Sequence, residues 1–478
     1  MLSGVLWVAL ARLILGLAPL LTLPAMTGAF PPAWYGVWTQ IAVTNSFIVP
    51  LVGMGFDTGV VRFFASGFGQ RDRVRDFYSM ALFIVLVSLG LAGIAFIWAP
   101  SVAFFMFSDS GLAVFAMLTF VWVLTQSLYN YSLAFFRVRN RMRTFAFIDL
   151  LNGTSAALIM VLIPSYFHSV QLMVELLAAA QITLVLAVWI VIYRTIGFAG
   201  VALTGLKPYL KFGLPLVPNS LFLWLVNSSG RYFLTHFGGL KEVGVYAAGY
   251  TIANTMTLFF MPISIVLFPV ISKLWEDRQV QEVALKIGAA NRWYLMLALP
   301  GAFGLSLLAG PLMALLSAKE FAAGASVIFL LTLANLFYGL YQINLYGTLL
   351  LKKNTRLTGL FAGAGVLNTV LNLILVPPFG LRGTALATLF SFGFLAATVS
   401  LWSKKELKFS LNWRATAKTL GSALGMAAVL EIWQLWLPPA GVWGLAWQVP
   451  AGAAVYVLLM LGSGAVKVGD LKVMRGKK

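Results

Sequence analysis

The sequence predicts an all-α membrane protein that crosses the bilayer many times. Of its 478 residues, 60% are hydrophobic and only 10% are charged, whereas soluble domains carry about 25% charged residues. The apolar residues form long runs, most of them close to the roughly 20 residues that a helix needs to span a bilayer. A transmembrane β-barrel would instead show alternating segments of about ten residues.

The apolar runs resolve into fourteen candidate spans. The connections between them are short and are marked by Pro, Gly or charge, as in the segment AFPPAWYG between the first two spans. The predicted spans are 5–29, 37–60, 77–99, 111–136, 144–164, 171–193, 212–236, 243–270, 292–316, 324–350, 358–376, 383–402, 415–437 and 445–463.

The positions of the positive charges predict the orientation. All but five of the 33 Lys and Arg residues fall in one set of alternate connections, including the tail 464–478. The other set holds only Lys241, Lys319 and Arg382, and two arginines, Arg12 and Arg231, lie inside spans. Such asymmetry places the basic connections in the cytoplasm. We therefore expect a multi-pass protein of the cell membrane with both termini cytoplasmic.

Composition also excludes several functions. The chain has no cysteine and only two histidines, and it contains no HExxH, P-loop or GxSxG motif. The net charge of +19 is explained by the membrane topology, so a nucleic-acid partner is not expected. We predict that the protein is not an enzyme and has no cofactor or metal site.

Two regions of the chain echo each other. WYGVWTQIAVTNSFIVP begins at Trp34, and EVGVYAAGYTIANTMTLFFMP begins at Glu242; each carries Gly-Val-aromatic at the start of a span. Gly36 and Gly244 each open the second span of a six-span unit, which predicts a parallel repeat of the kind found in transporters. The predicted organisation is one six-helix bundle in 1–205, a second in 206–410, and two additional helices with a basic tail in 411–478.

Three stretches resemble the polysaccharide exporter and O-antigen (Wzx-type) flippase family. The first is WYGVWTQIAVTNSFIVPLVGMGFDTGVVRFFAS from Trp34, which contains Gly-x3-Gly-x2-Arg-Phe-x-Ala-Ser. The second is LKFGLPLVPNSLFLWLVNSSGRYFLTHFGGLKEVGVYAAGYTIA from Leu210, and the third is FPVISKLWED from Phe268. The family belongs to the MOP superfamily, with the lipid II flippases and the MATE drug exporters.

The resemblance implies a fold and an activity. The implied fold is two pseudo-symmetric six-helix bundles in a V around a central cavity. The implied activity is movement of a polyprenyl-diphosphate-linked oligosaccharide from the cytoplasmic to the outer leaflet by alternating access. Implied partners are membrane lipids and a glycan polymerase or glycosyltransferases of the same process.

Two features depart from the family pattern. Many members have Asp-Arg where this chain has Gly230-Arg231, which removes the acid adjacent to the arginine. Fourteen spans exceed the twelve of many members but equal the number in lipid II flippases, so lipid II stays an alternative substrate.

Arginines inside spans are the main site candidates. Arg231 is expected either to snorkel to the outer interface or to face a wet cavity, and Asn219 and Asn227 on the same span favour the cavity. Arg12 has the same two explanations near the cytoplasmic side. Because guanidinium matches phosphate geometry, we predict that both bind the diphosphate. Arg62 is a candidate for gating headgroup entry, or else a positive-inside anchor.

Amides and acids inside spans complete the candidate set. Asn335, Asn344, Asn368 and Asn372 are predicted to bind sugar hydroxyls, with interhelical hydrogen bonding as the structural alternative. Asp57 and Asp149 are candidates for ion coupling, because carboxylates inside membranes are costly. Each also has a structural alternative, namely an ion pair of Asp57 with Arg62 and an ion pair of Asp149 with the basic loop 137–143.

Other function classes fit less well. A MATE-type exporter of cationic drugs would need an acidic cavity, whereas this chain offers Arg12 and Arg231. A membrane glycosyltransferase or polymerase would need acidic motifs and larger loops. A non-transporting scaffold leaves the polar positions on the seventh and tenth spans unexplained.

Overall fold

The computed structural model describes residues 2–351, 353–409, 413–437 and 441–465, and the regular structure in these ranges is helical. The N-terminal helices are α1 (Leu2–Ala29), α2 (Pro32–Gly53), α3 (Phe56–Phe63), α4 (Arg71–Ile97), α5 (Ala99–Phe107), α6 (Ala113–Val138), α7 (Met142–Phe167) and α8 (Val170–Ile196). The following helices are α9 (Lys207–Gly213), α10 (Val217–Ser228), α11 (Gly230–Ala253), α12 (Thr257–Glu276), α13 (Val280–Leu307), α14 (Ala309–Leu316), α15 (Ala325–Leu350), α16 (Asn354–Leu407), α17 (Trp413–Trp436) and α18 (Gly441–Gly462). The predicted all-α class is confirmed.

The helices are long and apolar enough for a multi-pass membrane protein. Within the described ranges, 10 helical segments meet the length and hydropathy expected of a span. The number rises to 11 when α13 and α14, which are bent by 69°, are counted as one broken span. The polytopic membrane architecture predicted from the apolar runs is therefore confirmed.

Two of these helical segments are longer than a single membrane span requires. Residues 203–276 form one apolar segment of 74 residues, and residues 355–407 form another of 53. The first contains a break at Gly239 (φ 82°, ψ 171°), and the second contains a break at Gly380 (φ 50°, ψ −123°). Residues with side chains rarely adopt such positive φ values, so glycine permits the chain to turn here.

The helices pack into two compact units. The first consists of Met1–Val245 with Asn368–Gly380, and the second consists of Tyr246–Leu367 with Leu381–Lys478. The sequence echo predicts a different division, into two six-helix bundles at 1–205 and 206–410. That division stays a prediction. Most of the predicted basic tail 464–478 lies outside the described residues.

Each unit has its own apolar core. In the first unit, Phe77 stacks on Tyr131 with ring centroids 4.9 Å apart, and the Tyr131 hydroxyl donates to the Phe77 carbonyl at 2.8 Å. In the second unit, the buried Tyr294 hydroxyl donates to the Leu336 carbonyl at 3.1 Å. These hydrogen bonds satisfy the polar ends of aromatic rings that are otherwise surrounded by apolar side chains.

Candidate functional site

Most of the predicted substrate-binding residues lie in the first unit. The members of the first unit are Arg12, Arg62, Asn219, Asn227, Arg231, Asn368 and Asn372, and those of the second unit are Asn335 and Asn344. The predicted ion-coupling residues Asp57 and Asp149 also belong to the first unit.

Arg231 is buried inside the first unit. It lies two residues after the short interruption at Ser229 that separates α10 from α11, and it is only 7% exposed. Its Nη1 donates to the carbonyl of Asn227, four residues earlier, at 3.4 Å. An arginine that snorkels to the interface would expose its guanidinium, so this burial favours a role inside the protein.

The predicted amides of α16 lie beside this helix. Ser229 Oγ donates to Asn368 Oδ1 at 3.1 Å, and Asn372 Nδ2 donates to the same oxygen at 2.9 Å. Both asparagines are fully buried. The hydrogen-bonded group of Ser229, Asn368 and Asn372 thus lies at the chain segment that also holds the bonded pair Asn227 and Arg231. We call these five residues the Arg231 cluster.

Arg12 and Asp149, which were predicted to have separate roles, form an ion pair. Arg12 Nε lies 3.4 Å from Asp149 Oδ2, and the arginine side chain is 50% exposed while the aspartate side chain is 12% exposed. The Tyr129 hydroxyl donates to Asp149 Oδ1 at 3.0 Å. The carboxylate thus has a cation beside one oxygen and a hydroxyl donor on the other.

Arg62 contacts aromatic rings. Its Cζ lies 4.5 Å from the ring centroid of Phe212 and 5.7 Å from that of Phe63, distances within the range of cation–π attraction. The side chain stays exposed at the end of α3. Arg62 therefore packs against Phe212 of α9, and the described ion pairs do not include one between Arg62 and Asp57.

Three remaining asparagine candidates differ in how fully their amides are bonded. Asn219 Oδ1 is buried and has no hydrogen-bond partner among the described residues. Asn335 Nδ2 donates to the Ala253 carbonyl at 3.2 Å. Asn344 and Asn291 exchange two amide hydrogen bonds of 3.0 Å each. The contacts of Asn335 and Asn344 favour the structural alternative, and their contribution to substrate binding stays a prediction.

Two glycine contacts hold the ends of α2. Near its start, Gly36 packs against the backbone of α11: a Cβ added at Gly36 would overlap the Leu240 carbonyl and lie 3.3 Å from Gly244 N. Just beyond its end, Gly55 and Gly213 are in backbone contact, and a Cβ on Gly213 would lie 3.1 Å from the Met54 carbonyl carbon. We call these the Gly36–Gly244 crossing and the Gly55–Gly213 crossing.

Polar contacts join α2 to α10 and α11 between the two crossings. The hydroxyls of Thr44 and Tyr232 share a hydrogen bond of 2.6 Å. Trp224 Nε1 donates to the Val43 carbonyl at 3.1 Å and to Ser46 Oγ at 3.0 Å. The α2 helix is thereby attached to α10 and to α11, which carries Arg231.

Sequence reasoning missed one polar chain. Thr125 Oγ1 donates to Gln181 Oε1 (2.8 Å), Gln181 Nε2 to Gln126 Oε1 (2.7 Å), and Gln126 Nε2 to Asn130 Oδ1 (3.0 Å). The available signal was the spacing of Gln126 and Asn130, which lie four residues apart in a predicted span and so share a helix face. The link to Gln181 depends on tertiary packing.

Comparisons with known proteins give consistent matches. The profile of a family described as "Polysaccharide biosynthesis protein" matches residues 30–326. The membrane protein YabM of Bacillus subtilis, which is named as uncharacterized, is 26% identical over 51% of this chain and 48% of its own length. Agl15 of Haloferax volcanii, a probable low-salt glycan biosynthesis flippase, is 25% identical over 56% of each chain. The chain spans about half the length of these curated relatives.

A solved structure has the same fold. The lipid II flippase MurJ in an inward closed conformation superposes with a TM-score of 0.79, covering 96% of this chain and 98% of that one. Sequence identity is 15%, so the likeness concerns the fold.

Proposed function

The chain belongs to the polysaccharide biosynthesis protein family, whose members are flippase-like transporters and not enzymes, and from this membership we propose its substrate. We propose that it moves a polyprenyl-diphosphate-linked oligosaccharide from the cytoplasmic to the outer leaflet. Alternating access through a cationic cavity is the proposed mechanism. Agl15, a relative whose name describes a glycan biosynthesis flippase, supports a glycan as part of the cargo.

The observation that carries the proposal is the buried guanidinium of Arg231. A cation inside a membrane-spanning unit is costly and is a candidate for a functional role, and the Arg231 guanidinium donates to the Asn227 carbonyl. Guanidinium binds a diphosphate with paired, charge-assisted hydrogen bonds. The amides of the cluster are suited to sugar hydroxyls, since they both donate and accept.

Arg12 has a complementary part in the proposed mechanism. Its half-exposed side chain is accessible in this conformation, whereas Arg231 is buried. We assign Arg12 to the diphosphate when the cavity faces the cytoplasm and Arg231 to the diphosphate when the cavity faces outward. Substrate binding at Arg12 requires the arginine to exchange Asp149 for phosphate oxygens.

The two glycine crossings are the proposed gates of this cycle. Each crossing leaves no room between backbones, so neither end of α2 separates from α9–α11 without breaking one crossing. Alternating access needs one end to open while the other stays closed. We assign the Gly36–Gly244 crossing to the outer side and the Gly55–Gly213 crossing to the cytoplasmic side, following the distribution of Lys and Arg.

We also propose that the chain has fourteen membrane spans, with both termini in the cytoplasm. The breaks at Gly239 and Gly380 divide each over-long segment into two legs, which raises the candidate spans from 11 to 13. Helix α17 (Trp413–Trp436) is long enough to be the fourteenth. Proposed partners are membrane lipids and the glycan polymerase or glycosyltransferases of the same process.

The test is transport by the purified chain. Proteoliposomes receive a fluorescent polyprenyl-diphosphate oligosaccharide, and an outer-leaflet probe follows its arrival; matched vesicles receive lipid II or a cationic dye. The proposal expects transport of the oligosaccharide lipid above protein-free vesicles and no transport of the dye. Transport of the dye alone would refute it, and transport of lipid II alone would replace its substrate.

A further inference from the structure

One face of α15 in the second unit combines aromatic rings with an amide. Tyr338, Gln342 and Tyr346 follow one another at intervals of four residues, so their side chains lie along the same side of the helix. All three residues are partly exposed. We call this face the α15 ladder, and it is separate from the Arg231 cluster, which lies in the first unit.

Aromatic packing against neighbouring helices positions the rings of the ladder. The Tyr338 ring lies edge-on to Phe392 of α16, with ring centroids 5.3 Å apart, and the Tyr346 ring lies 5.3 Å from Phe268 of α12. The buried Phe260 of α12 contacts both tyrosines, at 6.5 Å from Tyr338 and 6.4 Å from Tyr346. Both tyrosine rings are therefore held in place by the protein while part of their surface stays accessible.

The amide of Gln342 has hydrogen-bonding capacity left for a ligand. Its Nε2 donates to the Tyr338 hydroxyl at 2.5 Å, whereas its carbonyl oxygen has no partner among the described residues. Lipid chains carry no hydrogen-bond donor, so an amide oxygen that faced them would lose the hydrogen bonds it makes in water. The accessible side of the α15 ladder is therefore suited to water or to a polar ligand.

The other amides of α15 that were predicted to bind sugar lie elsewhere on the helix. Gln342 and Asn344 differ by two residues and so point about 200° apart around the helix axis. Asn344 exchanges hydrogen bonds with Asn291, and Asn335 donates to the Ala253 carbonyl. Asn335 and Asn344 are buried, whereas Gln342 is partly exposed. Of these three amides, Gln342 is the one that a ligand can reach.

From this geometry we propose that the α15 ladder binds the saccharide of the transported lipid. The C–H face of a sugar ring is apolar and packs on an aromatic ring, while its hydroxyls need hydrogen-bond donors and acceptors. Two tyrosines that flank an amide supply both kinds of contact along one side of a helix. This role depends on the proposed transport of a glycan-bearing lipid, and it is separate from that of Arg12 and Arg231, which are assigned to the diphosphate.

Charge and length both favour a saccharide over a diphosphate on this helix. The α15 sequence contains no Asp, Glu, Lys or Arg, so an ionic group of the cargo finds no charged partner on it. The eight residues from Tyr338 to Tyr346 extend about 12 Å along the helix axis. The ladder is therefore long enough to contact more than one sugar of an oligosaccharide.

The test compares binding of two lipids that differ only in the saccharide. Native mass spectrometry of the full purified chain in detergent gives Kd for a polyprenyl-diphosphate oligosaccharide and for the glycan-free polyprenyl diphosphate. We expect the wild type to prefer the oligosaccharide lipid. Gln342→Leu and Tyr346→Leu should each weaken its binding by about 3- to 10-fold and leave Kd for the glycan-free lipid unchanged. Tyr346→Phe keeps the ring and should retain the preference, as should the control Phe329→Leu, an exposed aromatic position on another side of α15.

Three outcomes would overturn the saccharide site and leave the proposed function standing. These are equal wild-type affinity for the two lipids, an unchanged preference in both leucine variants, or a loss that is equal for both lipids, which would mean that the ladder is only structural. Binding of neither lipid by the wild type would instead refute the proposed function, and the ladder with it. Should Tyr346→Leu fail to fold, Gln342→Leu decides, because it removes an amide from a partly exposed position.

Discussion

Gly36 on α2 and Gly244 on α11 contact each other reciprocally. A Cβ on Gly36 would lie 2.9 Å from the carbonyl carbon of Leu240, four residues before Gly244; a Cβ on Gly244 would lie 2.8 Å from that of Pro32, four residues before Gly36. Reciprocal contacts of this kind arise when a two-fold axis relates two equivalent surfaces at an interface. The two segments that echo in sequence thus meet in space, which supports a parallel repeat.

The first prediction concerns the Gly36–Gly244 crossing. A methyl group at Gly36 has no space, and overpacking of this kind costs about 1–3 kcal/mol, so Gly36→Ala should favour the open state at this end. The natural chain has no cysteine, so Thr235→Cys supplies a single reporter at a position that is 1% exposed. We expect a membrane-impermeant maleimide to label Thr235→Cys faster when Gly36→Ala is present.

Gly90→Ala is the control for this experiment, because a Cβ there meets nothing within 4 Å. Its labelling should equal that of the parent. Equal labelling in the Gly36→Ala background would show that this crossing is not a gate.

The second prediction concerns the opposite end of α2. Gly213→Ala would press a methyl against the Met54 backbone, whereas Gly59→Ala on α3 would make an ordinary 3.9 Å contact with Phe212 Cδ1. We expect Gly213→Ala, and not Gly59→Ala, to accelerate labelling of Ser127→Cys from the cytoplasmic side. Faster labelling from the outer side instead would reverse our assignment of the gates.

The third prediction separates structure from transport at Arg12. Removing either partner of the Arg12–Asp149 pair should lower stability by about 1–2 kcal/mol, as expected for a hydrogen-bonded charge that is partly shielded. The exchange Arg12→Asp with Asp149→Arg should restore Tm but not flipping, because the cation moves from α1 to α7. Recovery of both properties would mean that Arg12 acts only through its ion pair.

The fourth prediction concerns the reciprocal amides of the second unit. Asn344→Ala leaves Asn291 buried without its partner, which should cost about 1–3 kcal/mol of stability. The double variant Asn291→Leu with Asn344→Leu should lose less than the two single changes together, since the residues are coupled. Thermal unfolding gives both quantities.

Flipping by folded Asn344→Ala should match the wild-type rate, since both amides are occupied by each other. A specific loss of flipping without loss of stability would favour the substrate-binding role that the sequence suggests.

The sequence predicted the positions of the helices better than the side-chain contacts between them. Apolar run lengths were sufficient to predict a polytopic fold, because a bilayer demands about 20 residues for each helix. The breaks at Gly239 and Gly380 were predicted as connections between spans, since Gly marks both connections and Pro marks the second. The bend between α13 and α14 was not predicted, although Gly310 and Pro311 directly follow it, and residues 292–316 were predicted as one continuous span.

The side-chain partners were harder to predict because they come from distant parts of the chain. Asn227 and Arg231 share a face at a spacing of four, which the sequence shows directly. The meeting of Ser229 with Asn368, and of Arg12 with Asp149, depends on which helices pack together. For the same reason Asn291 was not recognised as the partner of Asn344.

The central claim is that the buried Arg231 guanidinium binds the diphosphate of the transported lipid. Flipping of a fluorescent polyprenyl-diphosphate oligosaccharide by wild type, Arg231→Ala and Arg231→Lys in proteoliposomes tests it most directly, with Arg71→Ala as the exposed-arginine control. We predict a loss of about 10- to 100-fold in Arg231→Ala, a smaller loss in Arg231→Lys and none in Arg71→Ala. Wild-type flipping by a folded Arg231→Ala protein would contradict the claim.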